Sequence, residues 1–204
     1  MKSNTGSLEH DIIVTLVKPG ASVLDLGCGD GDLMTRLVKE KNARAQGIEL
    51  NEPAIYKCVA KGLSVFHGDI DSGLPEYDDA SFDYVILSQS LQQVQKPDAV
   101  LKEALRVGAE VIVSFPNFAH YTARLQIALG GKTPITPSLP YEWYNTPNLH
   151  FLSISDFIGY CSKRDIRIKK SAFVGRNRRI RILPNLFALI GIFLIADGKR
   201  KAKT

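Results

Sequence analysis

Cysteine is scarce in this chain, with Cys28, Cys58 and Cys161 in 204 residues. The set is odd in number, widely spaced and without a CxxC pair, which excludes a disulfide framework and a zinc ribbon. A reducing cytoplasm is therefore the expected compartment. Long apolar runs are also missing. The longest, Leu186 to Ala196, contains Gly191 and is too short to cross a bilayer, so no membrane association is expected. The opening MKSNTGSLEHD lacks the apolar stretch of a secretory signal. What remains is ordinary: 45% hydrophobic and 23% charged residues, with 16 Gly and 10 Pro, exclude disordered, collagenous and coiled-coil classes. A chain of this size buries roughly 70% of its unfolded surface on folding and needs no metal or disulfide staple.

Charge is unevenly placed. The net +5 divides into 13 basic and two acidic side chains from residue 163 onward, and an acidic excess before it. Such a basic tail either seeks an acidic partner or solubilises the terminus.

Short β-branched runs alternate with helical patterns, the signature of βαβ units on a parallel sheet. Strands are expected at Ser22 to Leu26, Ala43 to Glu49, Leu63 to His67, Phe82 to Leu87 and Glu110 to Phe115, then near Ile166 to Val174 and Gly191 to Ala196. Leu33, Met34, Leu37 and Val38 share one helix face, Asn51 and Pro53 read as a cap and first turn, and Lys96-Pro97-Asp98 opens another helix. Residues 116–150 break the rhythm. A helix from His120 to Leu129, ended by Gly130-Gly131, precedes about twenty residues of ordered loop, a length that is usually functional. Ser155 is the expected cap of a further helix running to Lys163.

The strongest chemical signal is Leu24-Asp25-Leu26-Gly27-Cys28-Gly29-Asp30-Gly31-Asp32, an apolar strand entering a glycine turn and a helix. A dinucleotide fingerprint would need glycine where Asp32 stands. Asp30 and Asp32 would repel a pyrophosphate seeking the positive helix end. Glu49, at the end of the second strand, can accept from both hydroxyls of a ribose. Asp69, after the third, can accept from an adenine amine while Ile70 packs on the ring. Adenosine without phosphate is the implied ligand, and S-adenosylmethionine, whose amino-acid end is cationic, meets both conditions. Alternatively, each acid is a helix cap or turn residue.

These residues resemble the class I S-adenosylmethionine-dependent methyltransferases over nearly the whole chain. The resemblance implies a Rossmann-like α/β fold: a seven-stranded, mostly parallel sheet with the last strand antiparallel and helices on both faces. Residues 1–204 would form a single domain, with an ordered insertion at about 116–150 and a basic C-terminal tail. It also implies that Gly27, Cys28 and Gly29 pass along the methionine portion with Asp25 nearby, that Glu49 holds the ribose, with Leu50 also among the cofactor-binding residues, that Asp69 and Ile70 frame the adenine, and that Ser88, ending the fourth strand, faces the methyl group. No metal is implied. The runs LDLGCGDGDL, LSQSLQQV, VSFPNF and PYEWYNTPNLHF more narrowly resemble the MetW family of methionine biosynthesis. That resemblance implies an association with homoserine O-acyltransferase and leaves the methyl acceptor, a small molecule or a protein, unnamed.

On the acceptor side, the sequence offers His120, Tyr141, Trp143, Tyr144 and His150, either as a pocket wall or as pins for the long loop. An Asn/Asp-Pro-Pro-aromatic motif is missing after the fourth strand, where Ser88-Gln89-Ser90-Leu91 stands, so methylation of a nucleic-acid base amine is disfavoured. Arg176, Arg178, Arg179 and Arg181 could bind RNA, but the alternation of Ile180 and Ile182 among them reads as a strand edge or hairpin arm, and nucleic acid is the weaker expectation. Two functions remain: a methyltransferase, and a sensor of S-adenosylmethionine that acts on the acyltransferase.

Overall fold

A computed structural model describes residues 4–199; the end of the basic tail, Arg200 to Thr204, lies outside them. Seven strands form one sheet: β1 (Ser22–Leu26), β2 (Arg44–Glu49), β3 (Ser64–His67), β4 (Phe82–Ser88), β5 (Gly108–Pro116), β6 (Ile166–Val174) and β7 (Ile190–Asp197). Their spatial order is β3-β2-β1-β4-β5-β7-β6. β7 runs antiparallel to both β5 and β6, and the remaining pairs are parallel. The last strand is thus the antiparallel one, as the sequence leads one to expect.

Helices cover both faces, which is why the central strands read as nearly continuous apolar runs. α1 (Asn4–Leu16) and α2 (Asp32–Lys41) lie over the face carrying Val23, Ile86 and Ile112. α4 (after α3, Glu52–Ala60) spans Pro97–Val107 and lies over the other face with α6 (Ile154–Lys163), against Leu24, Val85 and Val113. Phe115, Phe157 and Phe193 fill that side, with ring centroids 4.8–5.8 Å apart. Asn51 caps α3 by accepting from the Ala54 N–H, with proline in the first turn. The cap of α6 is Ser153 rather than Ser155. Its hydroxyl accepts from the Asp156 N–H while the Asp156 carboxylate accepts from the Ser153 N–H, a reciprocal capping box that Ser155 has no acid positioned to complete.

In the long segment, α5 (Tyr121–Gly130) is capped by the His120 ring and stopped by Gly131 in the left-handed region. Irregular chain follows, folded back on itself where Thr136 and Leu139 exchange backbone bonds. It is then pinned near the sheet as the Leu149 and His150 N–H groups both donate to the Gln92 carbonyl. The arginine-rich stretch forms only a narrow return, with Val174 bridged to Arg179, before the short α7 (Pro184–Phe187). Leu183 there has φ +45° and precedes a proline, a conformation that ends any strand. Among the described residues, no helix is long and apolar enough to cross a membrane.

Candidate functional site

The order of chain segments reverses between β1 and β4, and in open α/β sheets the crevice at the carboxyl ends of such strands is where ligands bind. A cleft of about 500 Å³ opens there. Gly27, Gly29, Glu49, Leu50, Asp69, Ile70 and Ser88 all line it, joined by Gln89, Ser90, Asp71 and Leu149. Asp25 and Cys28 are buried and do not line it. The Cys28 side chain turns away into a small cluster with Met34 and Cys58, so only its backbone follows the turn. Burial pushes its thiol well above the usual range.

The glycine turn is held from within. Gly27 has φ +77° and Gly29 φ +55°, values that favour glycine. The Gly27 and Cys28 N–H groups both donate to the Ile48 carbonyl, at 2.9 and 3.2 Å, and the Gly29 N–H donates to Glu49 Oε2 at 2.7 Å. A phosphate cradle needs these amides free, and here the protein uses them. Glu49 is fixed in turn, because its Oε1 accepts from the Leu50 and Asn51 N–H groups at 2.9 and 2.8 Å. Lys61, which sequence reasoning passed over, donates to the Asp30 carbonyl and forms an ion pair with Asp32 at 2.7 Å. It neutralises one of the two acids beside the turn.

Asp25 is the electrostatic centre of the arrangement. It occupies a strand position where its neighbours are apolar, is 2% exposed, and its Oδ1 has no hydrogen-bond partner. Burial, with a smaller contribution from the negative Glu49, pushes its pKa up to about 7. The cleft carries Glu49, Asp69 and Asp71, and among the described residues no basic side chain lines it. This acidic lining, without an opposing cation among the described residues, fits a cationic ligand with hydroxyl groups and opposes an anionic one. Asp69 accepts from the Asp71 N–H, and Asp71 clamps the Gln95 and Lys96 N–H groups at 2.8 Å each, so this end of the cleft is shaped by turns anchored on carboxylates.

At the end of β4, Gln89 adopts φ +57°, an uncommon conformation for a non-glycine residue and a frequent mark of binding sites. Its carbonyl accepts from the side-chain amides of Gln92 and Gln93, at 2.8 and 2.9 Å. Sequence reasoning also missed Glu9. This acid is 3% exposed on α1 and accepts from Ser88, Gln89 and Ser114. Burial raises its pKa despite those three bonds.

Over residues 8–195 the sequence matches the family model described as "Methionine biosynthesis protein MetW". The chain belongs to the MetW family. A curated relative from Rhodopirellula baltica, "Bifunctional methionine biosynthesis protein MetXA/MetW", is 33% identical over 190 residues, which are 89% of this chain and 30% of that protein. The chain thus spans under a third of that relative. Among solved structures, an S-adenosylmethionine dependent methyltransferase from Mesorhizobium loti aligns with a TM-score of 0.68 at 16% identity, covering 94% of this chain and 99% of that one. The [4+2]-cyclase SpnF aligns equally well, with a TM-score of 0.68 at 16% identity, over 93% of this chain and 80% of that one. This MetW-family chain therefore has the Rossmann-like methyltransferase fold, and its reaction has to be argued from the site.

The acceptor-side candidates do not gather at one place. Tyr141 lines a recess adjoining the cleft. His120 lines a different cavity, with Tyr121 and Arg178, and its Nδ1, 2.7 Å from the Thr122 hydroxyl, serves the helix cap. Tyr144 is 69% exposed, edge-on to the exposed Trp143, and His150 is exposed at the surface. Among the described residues, no group of His, Cys, Asp and Glu is arranged to hold a metal ion.

Proposed function

We propose that the cleft binds S-adenosylmethionine and that the protein is a methyltransferase of methionine biosynthesis. The observation that carries this reading is Asp25, a buried carboxylate without a partner, lying under a turn whose amides are already engaged. A cationic amino-acid end over the turn would stabilise the ionised Asp25. Glu49, already aimed across the turn, would accept from the ribose hydroxyls with the lone pairs left on Oε2. Asp69 and Ile70 would frame the adenine. The bound sulfonium supplies an electrophilic methyl group. The chain's own task is to hold a nucleophile about 3 Å from it in line with the breaking bond, worth at best about 7–11 kcal/mol. Ser88 and Gln89, which line the cleft where β4 ends, would face that position.

A second reading is favoured by the joining of MetXA and MetW in one relative: the protein senses S-adenosylmethionine and modulates homoserine O-acyltransferase without turnover. The cytoplasm fits both readings. Calorimetry with S-adenosylhomocysteine tests the shared part. Glu49→Ala is expected to weaken binding by about 1–3 kcal/mol, the scale of a lost charged hydrogen bond, and unchanged affinity would refute the ribose placement. Adding purified acyltransferase separates the two readings. A change in its activity that follows S-adenosylmethionine, with no S-adenosylhomocysteine formed, favours the sensor.

A further inference from the structure

Glu9 lies on the face of α1 that also carries Ile12 and Ile13, and its carboxyl points to the ends of β4 and β5. The bonds from Ser114, Gln89 (3.0 Å) and Ser88 (3.4 Å) all fall on Oε1; among the described residues, Oε2 has no partner. The residue lines a recess of about 280 Å³ that shares Gln89 and Gln93 with the nucleoside cleft. Gln92 lines the same recess, 3% exposed, with an Oε1 that has no hydrogen-bond partner. Its amide orientation is fixed, since Nε2 donates to the Gln89 carbonyl and the flipped amide would set oxygen against oxygen. The recess is thus lined by Glu9, which has an idle carboxylate oxygen, and by Gln92, whose idle oxygen is itself buried. Prolines and Tyr141 form its apolar wall, and among the described residues no lysine, arginine or histidine lines it.

A ligand for this recess brings hydrogen-bond donors and positive charge, and no carboxylate or phosphate, because nothing there would offset a second negative group beside Glu9. We propose that the recess is the methyl-acceptor site, that its ligand is a small primary or secondary amine lacking a carboxylate, and that Glu9 holds the amine nitrogen and takes its proton. The inference rests on the reading of the adjoining cleft as an S-adenosylmethionine site. An ammonium must lose a proton before it can attack. That proton passes to the Glu9 carboxylate and from there to water. The freed lone pair forms the new N–C bond as the C–S bond breaks, and the electron pair of that bond stays on sulfur, giving S-adenosylhomocysteine.

The test uses the full chain saturated with S-adenosylhomocysteine and titrated with phenethylamine. The probe 3-phenylpropionate has a similar shape and opposite charge and serves as its control. Ligand-observed NMR is expected to show saturable binding of the amine and none of the carboxylate. Glu9→Gln should weaken the amine at least tenfold, and Tyr141→Ala, at a half-exposed wall residue, severalfold. Equal binding of the two probes overturns the proposal, as does a folded Glu9→Gln protein with unchanged amine affinity. Should Glu9→Gln not fold, Tyr141→Ala decides, and unchanged amine affinity there overturns the proposal as well. Wild-type protein that binds S-adenosylhomocysteine but not the amine overturns this inference alone. Failure to bind S-adenosylhomocysteine overturns the reading of the cleft.

Discussion

Replacing Asp25 by asparagine should stabilise the ligand-free protein at neutral pH while weakening its hold on S-adenosylmethionine. The carboxyl titrates at about 7 in the folded chain, against an ordinary value of 3.8. Below 3.8 it is protonated in both folded and unfolded states and costs nothing. Between 3.8 and about 7 the unfolded chain ionises while the folded one stays protonated, so stability falls as pH rises; above about 7 the full cost stands. At about 1.4 kcal/mol per tenfold change in proton affinity, that cost is about 4 kcal/mol. Asparagine is never ionised, and its idle amide in the same site costs about 1–3 kcal/mol at any pH. Subtracting wild type from variant should therefore give a stability difference near zero or negative at pH 4. It should rise to about 1–3 kcal/mol in the variant's favour above pH 7. Urea unfolding at several pH values measures this, and taking the difference cancels the other titrating groups. A pH-independent difference, or a variant less stable than wild type at pH 7.5, would refute the account of Asp25 as a carboxylate held without a partner. In the same samples S-adenosylmethionine affinity should drop in the variant, and the wild-type preference for higher pH should vanish.

Other consequences are more local. Gly27→Ala combines a left-handed φ with a new Cβ 2.9 Å from Ser90 Cβ and should cost about 2–3 kcal/mol. Gly27→Ala/Ser90→Gly should recover part of that, and a double-mutant cycle with no coupling would contradict the contact. Ser153→Ala removes the capping box and should lower stability by about 1 kcal/mol, whereas Ser155→Ala should change it by only a few tenths. Thermal melts of the two variants side by side distinguish them, and the opposite ranking would restore Ser155 as the cap.

The strands were legible because burial on both faces forces apolar β-branched runs, and glycine or polar residues punctuate them. β1 and β6 fall where the sequence places them, and β2 and β3 begin one residue later than expected. The α6 cap was misread although its signal was present: Asp156 stands three residues after Ser153, and that spacing, rather than the serine itself, makes a capping box. The glycine turn, Glu49 and Asp69 were legible because each ends or closely follows a strand whose position was already known. Glu9 left a fainter trace, an acid on the same helix face as Ile12 and Ile13. Its partner Ser114 is 105 residues away, and no local pattern encodes that distance. Lys61 escaped for the same reason, since its pairing with Asp32 depends on α3 ending beside the glycine turn.

Three buried side-chain atoms among the described residues lack a hydrogen-bond partner, on Asp25, Ser90 and Gln92, and all lie at this one corner of the sheet. Gln89, with its left-handed backbone, and Glu9, with its buried carboxyl, lie in the same place. Folding alone would select against such a cluster, because each idle buried group costs about 1–3 kcal/mol and an apolar replacement would avoid the loss. The strand cores next to it show that this chain packs apolar residues well wherever nothing else is required. A pure sensor would need only the half of this cluster that faces the nucleoside, Asp25 and Ser90. The other half, Glu9 and Gln92, belongs to residues that line the neighbouring recess, and on the proposed reading a molecule that merely reported S-adenosylmethionine would gain nothing from it. On the proposed reading, the cleft and the recess that share Gln89 would hold two ligands at the end of β4, which is what group transfer requires and sensing does not.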